Sequence, residues 1–366
     1  MHISVSLRIL GILLMLFSTA MLVPLVMALL ADDNTITGFL FALAITFFSG
    51  LVMWLPVRNV RHELRIRDGF LVTSLFWTVL GLFGALPFAL TESLELGAID
   101  AVFESISGLT TTGATVIVGL DNLPQSILIY RQLLQWLGGI GIIVVAVAVL
   151  PMLGIGGMQV YKAETPGPSK DSKLTPRITE TAKALFSVYL SLTVACAVAY
   201  YAVGMSGFDA IAHAFSTVAI GGFSTHDASM GYFESDAILL VCSVFMSISA
   251  INFGLHFIAW RRRAMGVYVK DSETRFFLSV LSVCIIITCA YLLFSGTMDG
   301  HDSLIHGLFQ AISITTTTGF TTQNFAVWPS FLPVMMLFFS FMGGCVGSTG
   351  GGIKAMRLML IYKQGV

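Results

Sequence analysis

Long apolar runs separated by short polar stretches make up most of this chain. Each run is near the roughly 20 residues that a bilayer-spanning helix needs. They predict eight spanning helices, near residues 8–30, 37–56, 70–90, 127–149, 182–204, 236–260, 275–295 and 331–346. The first run resembles a signal peptide, but it is too long for one and is followed by Asp32-Asp33, so we interpret it as a helix.

Three shorter segments between these runs share a pattern, a serine with a glycine six residues later. The stretches are Ser107-Gly108-Leu109-Thr110-Thr111-Thr112-Gly113, Ser216-Thr217-Val218-Ala219-Ile220-Gly221-Gly222 and Ser313-Ile314-Thr315-Thr316-Thr317-Thr318-Gly319. Irregular backbone at membrane depth is tolerated only where it is buried in protein or lines a wet cavity. The pattern therefore predicts a re-entrant loop that occurs three times.

Each loop and the helices beside it form one repeat, so we predict an all-α polytopic membrane protein with two leading helices and three helix/pore-loop/helix repeats. The predicted boundaries are 1–69 for the leading hairpin, 70–181 for repeat 1, 182–274 for repeat 2 and 275–366 for repeat 3. Asp100 and Asp209 both lie seven residues before their serine, which indicates a shared register. Each short helix would point its negative carbonyl end at the membrane centre, which favours a cation there.

Composition and charge agree with this picture. The chain is 56% hydrophobic and 11% charged, which is typical of a polytopic membrane protein. A net charge of -1 argues against a nucleic-acid partner. The cysteines have no metal-ligand spacing, and we interpret them as packed apolar residues: Cys196, Cys242, Cys284, Cys289 and Cys345. No nucleophile–base pair in the sequence points to an enzyme.

Basic residues follow every second predicted helix, and acidic residues mark the opposite side together with one base, Arg131. The basic set is Arg58, Arg61, Arg65, Arg67, Lys162, Lys170, Lys173, Arg177, Lys183, Arg261, Arg262, Arg263, Lys270, Arg275, Lys354, Arg357 and Lys363. By the positive-inside rule, both termini are cytoplasmic. The loops then open outward, where acidic residues would concentrate cations.

The glycines suggest an ion filter, because successive carbonyls can point into one axis only at backbone angles that glycine reaches without penalty. Rings of such carbonyls replace an ion's hydration shell. The candidate filter residues are Thr111, Thr112, Gly113, Ile220, Gly221, Gly222, Thr317, Thr318 and Gly319.

A glycine-rich segment, residues 343–354, interrupts the last apolar run. It is not a phosphate cradle, because no strand precedes it and Lys354 lacks the flanking Gly and Ser/Thr. It is either a closely packed, kinked helix or a flexible intramembrane loop below the filter. As a loop, its candidate gate residues are Gly347, Ser348, Thr349, Gly350, Gly351, Gly352 and Lys354. Lys354 either anchors this loop or extends to the membrane surface.

Four motifs resemble the TrkH-type membrane subunits of the Trk, Ktr and HKT potassium-uptake systems. They are Thr110-Thr111-Thr112-Gly113-Ala114-Thr115-Val116, Ala219-Ile220-Gly221-Gly222-Phe223-Ser224-Thr225-His226, Thr318-Gly319-Phe320-Thr321-Thr322 and Gly343-Gly344-Cys345-Val346-Gly347-Ser348-Thr349-Gly350-Gly351-Gly352. The resemblance covers essentially the whole chain. It implies potassium binding at Thr111, Thr112, Ile220, Gly221, Thr317 and Thr318, a potassium preference through Gly113, and a gate at the glycine-rich segment.

The resemblance also implies partners and a location. It implies a homodimer in the bacterial inner membrane and a cytosolic, TrkA-type nucleotide-binding ring that controls the gate. This chain itself would carry no cofactor, and any nucleotide would bind the ring. The family has four repeats around one pore, so the sequence predicts that the fourth repeat is absent. A fragment, a natural truncation and a fourth wall supplied from elsewhere all stay open.

Two classes of function stay open as well. The first is a potassium translocator, either a channel or a symporter coupled to protons or sodium, and a non-conducting truncated fragment is a variant of it. The second is a secondary transporter of another small solute, with broken helices around the substrate.

Among polar residues in the apolar runs, Glu104 either adds negative field at the filter or pairs with Arg131. Asn252 and His256 either hydrogen-bond between helices or line the pore.

Overall fold

The computed structural model describes residues 3–60, 66–153, 178–329 and 331–365, and within these ranges the regular structure is helical. The helices are α1 Ile3–Ala20, α2 Leu22–Ala31, α3 Ile36–Trp54, α4 Ile66–Gly84, α5 Leu86–Leu90, α6 Ala98–Leu109, α7 Gln125–Leu153, α8 Ile178–Ala202, α9 Gly207–Ala219, α10 Asp236–Ser249, α11 Phe253–Arg262, α12 Gly266–Lys270, α13 Ser272–Phe294, α14 Gly300–Thr315, α15 Leu332–Ser340 and α16 Ala355–Gly365. Short 3-10 turns lie at Leu55–Val57, Glu92–Leu94, Leu120–Asn122, Ser229–Tyr232 and Phe325–Val327. The predicted basic residues Arg61, Arg65, Lys162, Lys170, Lys173 and Arg177 lie outside the described residues.

The chain forms two compact units, Met1–Phe186 and Ser187–Val366. The first contains the two leading helices and the loop at Gly113. The second contains the loops at Gly222 and Gly319 and the glycine-rich segment. The division into three repeats at residues 70, 182 and 275 stays a prediction.

The described residues contain five helical segments that are long and apolar enough to cross a membrane. They are Ile3–Ala31, Ile36–Val57, Leu71–Leu90, Lys183–Ala202 and Ser272–Phe294. A sixth candidate is the bent pair α10 and α11. Helix α7 covers the predicted span 127–149, with a break in helical geometry at Gly141. The protein is therefore a multi-pass, all-α membrane protein, as the hydrophobic pattern predicts.

Glycines bring the two leading helices α1 and α3 into backbone contact. A Cβ atom on Gly11 would lie 2.7 Å from the Gly50 carbonyl oxygen, and a Cβ on Gly50 would lie 2.7 Å from the Gly11 oxygen. Small residues at helix crossings allow such close packing where lipid supplies no hydrophobic drive. Gly11 and Gly50 within the two apolar runs thus let these helices pair closely.

Two of the predicted spans are wrong in extent. The span predicted at 236–260 is two helices bent by 94°, because Asn252 begins a new helix with its side chain accepting from Gly254 N–H. The span predicted at 331–346 is only the nine-residue α15, which ends at Ser340. Beyond it, Gly343 has a φ of 68°, which a continuing helix cannot accommodate.

Candidate functional site

Three short helices, α6, α9 and α14, precede the three glycine loops. They have 12, 13 and 16 residues. At about 1.5 Å per residue, none reaches the roughly 30 Å of a bilayer core. Each carries an acidic residue in its first turn, namely Asp100, Asp209 and Asp302. These charges stabilise the positive N-terminal end of the helix macrodipole.

The three loops repeat one backbone conformation. In each, two residues with positive φ are separated by one residue without it. The pairs are Thr111 (54°) with Gly113 (76°), Ile220 (55°) with Gly222 (82°), and Thr317 (67°) with Gly319 (87°). The predicted glycine positions therefore have the left-handed geometry for which glycine is suited.

The first residue of each pair is β-branched, which the glycine pattern alone does not predict. Thr111, Ile220 and Thr317 all occupy the left-handed region. Such residues are strained there, at a cost of order 1–3 kcal/mol each, and persist only where the surrounding structure fixes them. Strain at the same place in three loops indicates a functional backbone shape. Its sequence signal is a β-branched residue two positions before each glycine.

The marker serines close each loop onto its short helix. The main-chain N–H groups of Thr112, Gly221 and Thr318 donate to the carbonyls of Ser107, Ser216 and Ser313 at 2.9, 2.9 and 2.8 Å. The Ser107 hydroxyl donates to Ala114 O at 2.5 Å, and the Ser313 hydroxyl donates to Phe320 O at 2.7 Å. The serine six residues before the glycine thus has a structural reason.

Side chains of the first two short helices also hold the loops. Glu104 and His213 occupy the same register, three residues before the marker serine, and both are fully buried. The Thr115 hydroxyl donates to the Glu104 carboxylate at 2.9 Å, and His213 Nε2 hydrogen-bonds Ser224 Oγ at 2.9 Å. In both loops the partner lies two residues after the glycine. The roles of His213, Thr115 and Ser224 were not predicted from the sequence.

A second tie joins α9 and α14 to their loops. Thr225 donates to the Asp209 carboxylate at 2.8 Å, and His306 Nδ1 hydrogen-bonds Thr322 Oγ1 at 3.0 Å. Asp209 and His306 lie seven residues before their serines, and their partners lie three residues after their glycines. The register that the sequence shows at Asp209 thus corresponds to a contact.

Glu104 pairs with Arg131, which decides between the two roles predicted for this carboxylate. Arg131 Nε lies 2.8 Å from Glu104 Oε1, and both residues are fully buried. Val116 N–H donates to the same carboxylate at 3.1 Å. The ion pair therefore fixes the residues just beyond Gly113.

Removing one partner of this pair is expected to destabilise the protein strongly. Arg131→Leu leaves the Glu104 carboxylate buried without its cation, and broken buried pairs cost about 3–5 kcal/mol. Thermal unfolding of detergent-purified protein measures the loss. The double variant Glu104→Gln/Arg131→Leu leaves no unpaired charge and is expected to lose much less. Equal losses in both variants would contradict a stabilising role for the pair.

The second and third loops lie against each other. A Cβ on Gly222 would lie 2.1 Å from the Thr318 carbonyl oxygen. Gly231 N–H donates to Thr321 O at 3.1 Å, and Thr321 N–H donates to Ser229 Oγ at 3.2 Å. No side chain fits at Gly222 without moving the backbone of the third loop.

The glycine-rich segment is a loop that closes on itself. Main-chain N–H groups of Ile353 and Lys354 donate to Phe341 O and Met342 O at 2.9 and 3.0 Å. A Cβ on Gly343 would lie 2.0 Å from Gly351 O, so the two sides touch through glycine. The Lys354 ammonium donates to Gly350 O, so this lysine binds within the loop. Of the two predicted forms, the structure has the non-helical loop.

The middle of this segment contacts the candidate filter. The Thr349 hydroxyl donates to Val218 O in the last turn of α9 at 2.8 Å. Gly351 N–H donates to the Thr317 hydroxyl at 2.8 Å. A candidate gate residue thus hydrogen-bonds directly to a candidate filter residue.

The segment also occupies the bend between α10 and α11. Cys345 N–H donates to Ala250 O at 2.8 Å, and Phe253 N–H donates to Gly347 O at 3.0 Å.

His256 in α11 hydrogen-bonds Tyr268 Oη and Ile248 O, each at 2.9 Å. Its contacts match the hydrogen-bonded alternative that the sequence left open.

The family profile of TrkH, described as a cation transport protein, matches residues 35–366. The chain is 57% identical to the Trk system potassium uptake protein TrkH of Halomonas elongata, covering 100% of this chain and 76% of that protein. It is 44% identical to the Trk system potassium uptake protein TrkG of Escherichia coli K12, covering 99% and 75%. The crystal structure of the potassium transporter TrkH from Vibrio parahaemolyticus matches with a TM-score of 0.89 and 52% identity, covering 100% of this chain and 75% of that one.

The chain thus spans about three quarters of the length of these relatives. That a fourth repeat is absent stays a prediction. A profile match over most of the chain, together with relatives above 40% identity, shows the family and places the protein among transporters and not enzymes. The chain belongs to the TrkH family of cation transport proteins.

Proposed function

We propose that the protein takes up potassium through a pore in which each glycine loop supplies backbone carbonyls to the ion filter. The observation that carries this proposal is the repeated pair of left-handed residues at Thr111 and Gly113, Ile220 and Gly222, and Thr317 and Gly319. Carbonyls held in this way can replace the hydration shell of a cation. The names of the similar proteins support potassium as that cation.

The glycine-rich segment is the gate in this proposal. Its support is the pair of hydrogen bonds from Thr349 to Val218 and from Gly351 to Thr317. This segment is rich in glycine, is not helical and is tied to the loops by few hydrogen bonds. It can therefore move away from the filter without breaking a helix. Ion flow then depends on whether these bonds are made.

The proposed setting is the bacterial inner membrane, with both termini cytoplasmic, in a homodimer controlled by a cytosolic TrkA-type nucleotide-binding ring. The basic residues Arg261, Arg262 and Arg263 end the second repeat's bent helix, where the positive-inside rule puts the cytoplasm. This chain supplies no nucleotide site in the proposal. Its substrate is the potassium ion.

Uptake by a host that lacks its own potassium transporters tests the function. The full-length protein is expected to support growth at low potassium and to accumulate potassium and rubidium in preference to sodium. The alternative function, a secondary transporter, predicts uptake of a sugar or another small solute instead. Sodium uptake equal to potassium uptake, or solute uptake without potassium, would contradict the proposal.

A further inference from the structure

Glu273 is a buried carboxylate that belongs neither to the candidate filter residues nor to the candidate gate residues. It is the second residue of α13 and is 4% exposed. Among the described residues, only Glu104 is a comparably buried carboxylate. Burying a carboxylate is costly unless hydrogen bonds compensate. The contacts of Glu273 therefore indicate what it does.

One oxygen of Glu273 binds a main-chain N–H group on each side of the candidate gate residues. Glu273 Oε1 accepts from Val346 N–H at 2.7 Å and from Met356 N–H at 3.1 Å. Val346 precedes the candidate gate residues, and Met356 follows them. A single side chain thus joins the two points between which the gate would move.

The chemistry of these bonds suits a fixed anchor. Met356 lies in the first turn of α16, where main-chain N–H groups have no acceptor within the helix. A carboxylate at this position satisfies such a donor and the positive helix end together. Hydrogen bonds to a charged acceptor are stronger than neutral ones.

The carboxylate itself is held by the start of its own helix. Asp271 caps α13 by accepting from Thr274 N–H and from the Thr274 hydroxyl, each at 2.7 Å. The Glu273 side chain therefore extends from a helical turn that this cap holds in place. A shift of this turn would move Val346 and Met356, which lie on either side of the candidate gate residues.

We propose that Glu273 is the positioning residue that holds the glycine-rich segment in its closed place by binding Val346 and Met356. This rests on the proposed gate. The carboxylate does not touch the ion. It sets how often the segment leaves the filter, and so it controls basal flux without setting ion preference.

Thiol labelling of Cys345 tests this directly, because that cysteine lies beside Val346 and is fully buried. The full-length protein, with Cys345 as its single cysteine, is labelled with N-ethylmaleimide. Glu273→Ala leaves two N–H groups without an acceptor and is expected to raise the labelling rate about tenfold or more through local opening. Glu273→Gln keeps one acceptor oxygen and is expected to give an intermediate rate.

Two controls separate the proposed role from general loosening of the fold. Glu234→Gln changes an exposed carboxylate and is expected to leave the Cys345 rate unchanged. A second protein keeps only Cys196, which is buried in α8, and its rate is expected not to rise with Glu273→Ala. An unchanged Cys345 rate, or an equal rise at Cys196, would overturn the proposal.

Potassium flux through the same Glu273→Ala protein tests the gate separately. The expected result is a several-fold higher basal flux with an unchanged ratio of potassium to sodium uptake. Faster Cys345 labelling with unchanged flux would uphold Glu273 as the anchor and contradict the gate. If Glu273→Ala changes the ratio of potassium to sodium uptake but leaves the Cys345 labelling rate as it is in the unaltered protein, the positioning role is overturned.

Discussion

Replacing Gly222 with alanine is expected to lower the ratio of potassium to sodium uptake about tenfold or more, equal to about 1.4 kcal/mol of relative ion-binding free energy. The added Cβ would lie 2.1 Å from the Thr318 carbonyl oxygen, so the carbonyls of the third loop must move. The left-handed φ of 82° adds about 1–2 kcal/mol of backbone strain. Radiotracer uptake of rubidium with sodium competition measures the ratio.

Two other glycines provide matched controls for this variant. Gly319 and Gly296 have φ values of 87° and 63°, and nothing lies within 4 Å of an added Cβ at either. Gly319→Ala is expected to change the ratio less than Gly222→Ala, because it adds strain without the clash. Gly296→Ala, outside the loops, is expected to leave it unchanged. A normal ratio in folded Gly222→Ala protein would refute the filter assignment.

Deleting Ser348 to Gly351 is expected to raise basal potassium flux about tenfold or more and to weaken control by the cytosolic partner. The deletion removes the bonds from Thr349 to Val218 and from Gly351 to Thr317. In a two-state equilibrium, each loss of about 1.4 kcal/mol in the stability of the closed state raises the ratio of open to closed protein tenfold. Flux from proteoliposomes measures the effect.

A milder variant removes the hydrogen bond from Thr349 to Val218. Thr349→Val keeps the shape of the side chain and removes the hydroxyl that donates to Val218 O. It is expected to raise flux in the same direction by a smaller factor. Flux that falls in both variants while the protein stays folded would favour a packing role for the segment.

Spans, loops and their glycines could be predicted because they depend on local patterns. A bilayer requires long apolar runs, and a left-handed residue favours glycine, so Gly113, Gly222 and Gly319 stand out in the sequence itself. Thr111 and Ile220 could be placed in the loops, but their left-handed conformation could not be predicted, since β-branched residues normally avoid it.

The bend at Ala250 and the short α15 could not be predicted, because hydropathy does not show where backbone hydrogen bonds go. Ala250 O and Phe253 N–H bind Cys345 and Gly347, which are distant in sequence. Such long-range pairing replaces the helical bonds that an apolar run would otherwise make.

The role of Glu273 could not be predicted for a related reason. An acidic residue in the first turn of a helix is ordinarily explained by the macrodipole, as at Asp100 and Asp209. Only the folded chain brings its carboxylate to Val346 and Met356. Arg131 could be proposed as a partner of Glu104 from the sequence because it is the lone base on its side.

Anomalous diffraction from crystals grown with rubidium tests the central claim most directly, because it locates the bound ion itself. The proposed filter predicts anomalous density in contact with the carbonyl oxygens of Ile220, Gly221, Thr317 and Thr318, and its loss in Gly222→Ala crystals. Density elsewhere with no ion at these carbonyls, or density unchanged by Gly222→Ala, would contradict it.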